Sequence, residues 1–437
     1  MKKGTLAKLI SVCIILSMLF VTACSEQKKQ EAQGTDISNT DGGKKITVLL
    51  PAPYQSIVGF IEKETREFEK ETGIEVELIN MAWDKVADRA INELTTGGST
   101  YDVIEFDNAW VARFIANDWV ECLDEYVSDE VREELIPGLR EKFSGSGKLY
   151  GIPWHNDTRF FMYNKKMLDE AGISESPKTW AELEEQSKLL KEKGLAQYGY
   201  IDSYMQAQSG SNQIIFLTYS FGGKFFDDKG NPIMATDPGV KKAFEFMVRG
   251  INDSKIIDPA SLTSDYESIS NVFNMGNTAF YLQAHPNSYK LGNDPENSKV
   301  VGDIAIADYS PSIEGGAQVC LTLPEAMAIP KTSKNKEEAW KYIEYMTSKA
   351  LDKQRAKEIG TLPIYTELFD DQELLELYPH WKSFGKQIIS SRGLPDLLWY
   401  DEFSNILSTE TQRILTNQVS IEEGLKQIQD KCIEAMK

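Results

Sequence analysis

Histidine and cysteine are the scarcest chemistry-bearing residues in this chain. Its three histidines, His155, His285 and His380, stand far apart, and no HExxH occurs, which excludes the zinc-protease pattern. The five cysteines include no CxxC pair, which removes the common zinc and dithiol motifs. The phosphate-cradling GxxxxGK[ST] and GxGxxG and the nucleophile elbow GxSxG are also missing. Neither a metal nor a cofactor is expected. Long apolar runs are equally rare. Only Leu9–Val21 is sustained, and it is shorter than a membrane span of about 20 residues. Positive charge is in deficit, with 47 Lys and Arg against 67 Asp and Glu for a formal −20. An acidic chain argues against nucleic acid, whose phosphates need a basic face.

What is present begins at the N-terminus. Lys2, Lys3 and Lys8 flank the start of the apolar run, and Thr22 and Ala23 precede Cys24. A basic leader, a short apolar core and small residues before a cut describe a secretory signal over residues 1–23. The stretch Val21-Thr22-Ala23-Cys24 resembles a bacterial lipobox. That resemblance implies diacylglyceryl transfer to Cys24, cleavage before it, and a lipid anchor on the extracytoplasmic face of the cell membrane. The alternative is an ordinary cleaved signal with an incidental cysteine. Residues 24–44 are polar and lack hydrophobic periodicity, as expected of a tether between anchor and globule. Loss of the three leader lysines takes the mature chain to about −23. Cys122, Cys320 and Cys432, odd in number and widely spaced, are expected to be buried free thiols.

The remaining length suits two large lobes. Ile46–Leu50 reads as a buried strand. Ile57, Phe60, Ile61 and Phe68 follow at helical spacing, with Gly73 at the stop. Ile74, Val76 and Leu78 alternate with Glu75 and Glu77 as a second strand. Trp83, Val86, Ala90, Ile91 and Leu94 form a second helix before Gly97-Gly98, and Tyr101–Phe106 is a third strand. Strands separated by single helices predict parallel pairing through right-handed crossovers. Ligands of open α/β sheets sit beyond the carboxyl ends of the strands, which places Asp107, Asn108 and Trp110 within reach of one. Further on, Thr179 with Glu182, Asp237-Pro238, and Ser420 with Glu423 are helix starts. Phe225–Met234, with Lys229-Gly230-Asn231 inside it, reads as a hairpin.

The order of these motifs resembles the extracellular solute-binding proteins of the maltose-binding type, which serve sugar ABC importers. The resemblance runs from about Lys45 to the end. Its pieces are FEKETGIEVEL, YDVIEFDNAWVARFIANDWVECLDEYV, GKLYGIPWHNDTRFFMYNKKMLDEAGISESPKTWAEL, FGGKFFDDKGNPIM, FNMGNTAFYLQAHP, AMAIPKTSKNKEEAWKYIEYM and GTLPIY. It implies a two-lobed α/β fold of the periplasmic-binding-protein kind (type II), with discontinuous lobes around a central cleft. By that analogy lobe 1 is 45–152 with 309–349, and lobe 2 is 153–308 with 350–437. The crossings fall near Ile152–Asn156, Ala307–Ser312 and Ser348–Asp352. The implied protein is a monomer that captures a sugar or oligosaccharide by clamshell closure and delivers it to ABC permease subunits.

A sugar offers hydroxyls at its rim and C–H groups on its faces. Carboxylates and amides suit the first, and flat aromatic rings suit the second. By resemblance, Asp107, Asn108 and Trp110 supply first-lobe contacts; a buried cap and a core tryptophan are the structural alternative. Trp154, His155, Asp157 and Arg159 lie at the first crossing, where Asp157 and Arg159 are either ligand contacts or a structural ion pair. Gln208, Ser211 and Asn212 precede the FGG turn, where a plain helix start is the alternative. Gln283 and His285 follow GNTAFYL, with His285-Pro286 where relatives often carry tryptophan. Trp399 and Tyr400 stand near an aromatic contact of relatives, with core packing as the alternative. Two other classes remain open from sequence: a secreted glycoside hydrolase, which needs two carboxylates across a cleft, and a surface receptor for a peptide or protein.

Overall fold

The computed structural model describes residues 44–52, 55–381 and 391–437. The signal, Cys24 and all of the tether except Lys44 lie outside these residues. Nine strands carry the architecture: β1 (Lys45–Pro51), β2 (Glu75–Met81), β3 (Val103–Asp107), β4 (Ile152–His155), β5 (Phe160–Asn164), β6 (Tyr198–Tyr200), β7 (Thr278–Ala284), β8 (Ile304–Ile306) and β9 (Glu325–Ala328). They form two sheets, one ordered β2-β1-β3-β9-β4 and the other β8-β5-β7-β6. The second sheet is built from chain lying between β4 and β9 of the first, so the first sheet is discontinuous in sequence.

The opening alternation folds as its pattern predicts. Helix α1 (Gln55–Thr72) buries Ile57, Phe60, Ile61 and Phe68. Gly73 follows at φ +71, a left-handed stop that costs glycine no strain. Helix α2 (Trp83–Thr95) returns the chain to β3. Strands β1 and β2 pair in parallel, as do β1 and β3. Every residue of β3 is buried, as suits a central strand covered on both faces. Strand β9 then enters antiparallel between β3 and β4.

Around the second sheet stand α3 (Trp180–Glu192), α4 (Gln208–Ser220), α5 (Pro238–Val248) and α6 (Tyr266–Asn274). Thr179 and Glu182 close a reciprocal capping box at α3, and Asp237 accepts from the N–H groups of Gly239 and Val240 at α5. Helix α7 (Lys336–Met346) packs on β1. Helix α8 (Lys349–Ile359) lies against α1 and α7. Helices α9 (Tyr400–Leu415) and α10 (Ile421–Ala435) pack on each other and on α5, with Ser420 capping α10. Cys320 and Cys432 are buried and Cys122 is half-buried, with no disulfide among the described residues. No helix among the described residues is long and apolar enough to cross a membrane.

Two expectations need revision. The return crossing does not lie at Ala307–Ser312, because Ser312 still bridges to Thr179 beside α3. The chain passes back at Leu321–Glu325, antiparallel to Asn156–Arg159: the Leu323 N–H donates to the Asp157 carbonyl, and the Arg159 N–H to that of Leu321. Helix α8 packs with the first sheet's helices, where Lys63 pairs with Glu358 at 2.9 Å, although its residues from 350 on were expected in lobe 2. Phe225–Met234 doubles back as the expected hairpin: Phe226 bridges antiparallel to Pro232, between the Asp227 N–H donating to the Asn231 carbonyl and the Ile233 N–H donating to that of Phe225, each at 2.9 Å. The Asp227 carboxylate closes its turn, accepting from the N–H groups of Lys229 and Asn231, each at 2.8 Å.

Candidate functional site

Strand register builds one wall of the site. Glu325 of β9 lies opposite Asp107 of β3 on one side and His155 of β4 on the other. Cross-strand partners share a face, so Asp107, Glu325 and His155 stand in a row at the rim of the first sheet. Glu105, two residues before Asp107, shares that face behind them. Beyond β4 the extended chain keeps its alternation. His155, Asp157 and Arg159 turn to one side; Asn156 and Thr158 turn to the other, where Asn156 donates to the Pro363 carbonyl and Thr158 meets Thr322. The return strand adds Leu323. Trp83 comes from the start of α2, Asn212 from α4, Tyr266 from the start of α6, and His285 from the residue after β7.

These ten residues enclose a cavity of about 20 Å³: Trp83, Asp107, His155, Asp157, Arg159, Asn212, Tyr266, His285, Leu323 and Glu325. It has room for about one water molecule. Drug-sized sites run to several hundred Å³, so the two walls must part before a sugar can enter.

The polar groups are buried and mostly paired. Arg159 donates to Asp157 Oδ2 from Nε at 2.8 Å and from Nη2 at 2.6 Å. Its guanidinium lies 4.7 Å from the Tyr266 ring centre. His285 Nδ1 is 3.3 Å from Asp157 Oδ1, and its ring meets Tyr266 edge-on at 4.6 Å. His155 Nδ1 is 3.4 Å from Glu325 Oε1, while Glu325 Oε2 has no hydrogen-bond partner. Asp107 Oδ1 accepts from the Ala109 N–H at 2.9 Å and from Gln208 Nε2 at 3.1 Å. Asn212 donates to the Tyr266 hydroxyl at 3.2 Å and accepts from the Tyr400 hydroxyl at 3.1 Å.

Burial and neighbouring charge move these groups in opposite directions. Burial, with the Glu325 charge opposite, raises Asp107 to about 7. Burial also raises Glu325, and it raises Glu105 well above the carboxylate range with help from Glu325 and Asp107. Burial works against the Asp157 carboxylate too, but Arg159 and then His285 outweigh it and hold its pKa well below normal. Burial and then Arg159 depress His285 to about 4, so its imidazole is neutral at neutral pH.

The raised Asp107 makes a testable statement about stability. Its unfolded pKa is near 3.9, so its contribution is fully present below about pH 4 and is lost as pH rises to about 7. Asp107→Asn removes this titration. The stability of the wild type minus that of the variant, from denaturant unfolding, should therefore fall between about pH 4 and 7. A difference that stays flat across that window would contradict the placement of Asp107.

Of the residues singled out from sequence, Asp107, His155, Asp157, Arg159, Asn212 and His285 meet at the cavity. The others do not reach it. Asn108 is buried and donates to Asp107. Trp110 stacks on Phe114 at 5.6 Å in the first-lobe core. The Trp154 indole donates to Glu105 at 3.0 Å, with Arg355 over its ring. Gln208 stands outside the cavity and donates inward to Asp107. Gln283 holds the return strand, accepting from the Leu321 N–H at 3.1 Å. Trp399 packs edge-on against Phe226 and Phe403, and Tyr400 touches the site only through Asn212. Sequence reading missed Trp83, Tyr266, Leu323 and Glu325. Trp83 follows a strand end just as Asp107 does, and Glu325 is an acid inside the apolar run LTLPEAMAIP; both signals were there to be used.

The model of the family described as bacterial extracellular solute-binding protein matches residues 50–353. The chain belongs to that family. The maltotriose-binding protein of Pyrococcus abyssi is 25% identical over 297 residues, covering 66% of this chain and 60% of its own. The mannitol-binding protein of Pseudomonas aeruginosa is 26% identical over 276 residues, covering 62% of each. Among solved structures, maltose-bound MalE3 of T. maritima superimposes with a TM-score of 0.81 at 25% identity, covering 88% of this chain and 98% of its own. The chain is thus a two-lobed solute-binding protein of a family that is extracellular by description. Its relatives are binding proteins.

Proposed function

We propose that this solute-binding protein captures a sugar, a polyol or a short oligosaccharide in the cavity between its sheets and passes it to the membrane subunits of an ABC importer. The observation that carries this reading is the cavity itself. Asp107, Glu325, His155, Asp157 and Arg159 come from one sheet and the crossing, and Asn212, Tyr266 and His285 from the other. Carboxylates, an amide and aromatic rings are the groups a polyhydroxylated solute needs. Relatives named for maltotriose and mannitol, and the maltose bound to MalE3, support the same ligand class. A charged wall on one side and an amide and aromatic wall on the other give a ligand most of its contacts only when the halves are together. Binding would therefore favour closure by the ligand's differential affinity for the closed form. Three contacts outside the cavity also bridge the halves: Arg113 with Asp401, Lys142 with Asp396 at 2.6 Å, and Gln208 with Asp107 at 3.1 Å. Surface ion pairs contribute about 0–1 kcal/mol each, too little to hold the cleft shut against a solute.

A thermal-shift panel of hexoses, polyols, disaccharides and amino acids tests this. At about 100 times Kd, a ligand should stabilise the chain by about 2.7 kcal/mol, with no product formed. Stabilisation by amino acids alone, or turnover of a glycoside, would overturn the reading. We further propose anchoring through Cys24, which lies outside the described residues. Two acyl chains hold a protein at a membrane where one does so marginally. Cys24→Ala should move the protein from the membrane to the soluble fraction, and mass spectrometry showing an unmodified mature N-terminus would refute the anchor.

A further inference from the structure

The charge balance of the cavity narrows the solute. Three carboxylates line it, those of Asp107, Asp157 and Glu325, against one guanidinium, that of Arg159. Arg159 is already engaged by Asp157 through two hydrogen bonds. Glu105 stands directly behind Asp107, with one oxygen held by the Trp154 indole and the other, Oε1, without a partner. Glu325 Oε2 is likewise unpartnered, on a residue 5% exposed that lines the cavity. Among the described residues no lysine lines the site.

We infer that the solute carries a positive charge, as an amino sugar or amino polyol does, with its ammonium group seated between Glu325 and Asp107. This rests on reading the cavity as the solute site. A buried carboxylate is tolerated when paired and is otherwise driven to bind a proton. Glu105, Asp107 and Glu325 all show that pressure: burial raises each of them, and neighbouring carboxylates add to it, Glu325 and Asp107 at Glu105, Glu325 at Asp107 and Asp157 at Glu325. His285 cannot offset it, being held neutral by burial and Arg159. An ammonium brings three donors and one positive charge, and bonds between ionised partners are about twice as strong as neutral ones. A hydroxyl at the same position brings one donor and no charge.

Matched pairs separate this inference from the reading beneath it. Glucose and glucosamine, galactose and galactosamine, mannose and mannosamine, and glucitol and its 1-amino analogue are compared by thermal shift and calorimetry at pH 7 in 150 mM salt, with ammonium chloride as the control for non-specific cation binding. In the pairs that bind, the amine should bind at least about tenfold tighter than its neutral partner. Ammonium chloride should do nothing. Glu325→Gln, which keeps size and shape, should cost the amine at least about tenfold more affinity than it costs the neutral partner. Neutral members binding as well as or better than their amines would overturn the charge inference and leave sugar capture standing. An amine preference unchanged in Glu325→Gln would overturn the placement. Failure of every member of every pair would overturn both readings.

Discussion

Asp157→Ala should be the most damaging single substitution in the site, lowering stability by about 3–5 kcal/mol, the cost of leaving a buried charge without its partner. Asp157 and Arg159 are each about 2% exposed at the side chain, so water cannot replace the lost carboxylate. Arg159 would keep its stacking on Tyr266 but lose both hydrogen bonds to Asp157 Oδ2, and His285 would lose the carboxylate beside its Nδ1. The residue also sits where the chain crosses between sheets, and its own carbonyl accepts from Leu323 of the return strand. Disorder at this point would therefore spread to both strands of the crossing. The double substitution Asp157→Ala with Arg159→Met should be less damaging than Asp157→Ala alone, because it also removes the buried guanidinium that has lost this carboxylate. Urea unfolding of the three variants measures this. A single variant within about 1 kcal/mol of the wild type, or a double variant worse than the single, would show that the pair is not the buried unit described.

Asp107→Ala should weaken solute binding about 100-fold or more, while Trp399→Ala should change it less than tenfold. A hydrogen bond to a charged group contributes about 1.5–3 kcal/mol, one carboxylate can accept two hydroxyls, and each 1.4 kcal/mol is a factor of ten in Kd. Asp107 faces the cavity with its carboxylate. Trp399 is half-buried against Phe226 and Phe403, away from the cavity, so its loss should lower thermal stability and spare affinity. Asp107→Ala should fold, because it removes a carboxylate that burial penalises. Equal losses of affinity in the two variants, measured by calorimetry with a solute from the thermal-shift panel, would place the site nearer the residues suggested by resemblance than those gathered by the strand register.

Much of this site could be read from local pattern. The run His155-Asn156-Asp157-Thr158-Arg159 alternates in an extended chain, and the alternation alone puts its first, third and fifth side chains on one face. Asp107 followed from the rule that ligands meet the carboxyl ends of parallel strands. The losses came where long-range pairing decides. Glu325 joins Asp107 and His155 only because β9 inserts between β3 and β4 in one register, and nothing local announces which strand will fill that place. The tryptophans misled for a related reason. Trp110 and Trp154 occupy positions suited to a ligand, yet Phe114 claims one ring and Glu105 and Arg355 claim the other. Burial of a large ring favours core and site alike, so type and position could not separate them. The helices, by contrast, followed their signals, since a capping box or a glycine stop acts within a few residues.

We expect the solute to close the two halves over the cavity. A cavity of about 20 Å³ admits no sugar as it stands, so the free chain must open. Closing it empty shuts Asp107 and Glu325, neighbours on the first sheet, away from solvent, a burial that raises both and that the bridging contacts at Asp401 and Asp396 offset only slightly. A solute that satisfies those carboxylates removes the penalty and shifts the balance to the closed form. Small-angle X-ray scattering with and without saturating solute tests this directly. The radius of gyration should fall on binding, the bound profile should match the closed arrangement, and the change should be absent in Asp107→Ala at the same solute concentration. Superimposable profiles for free and solute-saturated wild type would contradict the account.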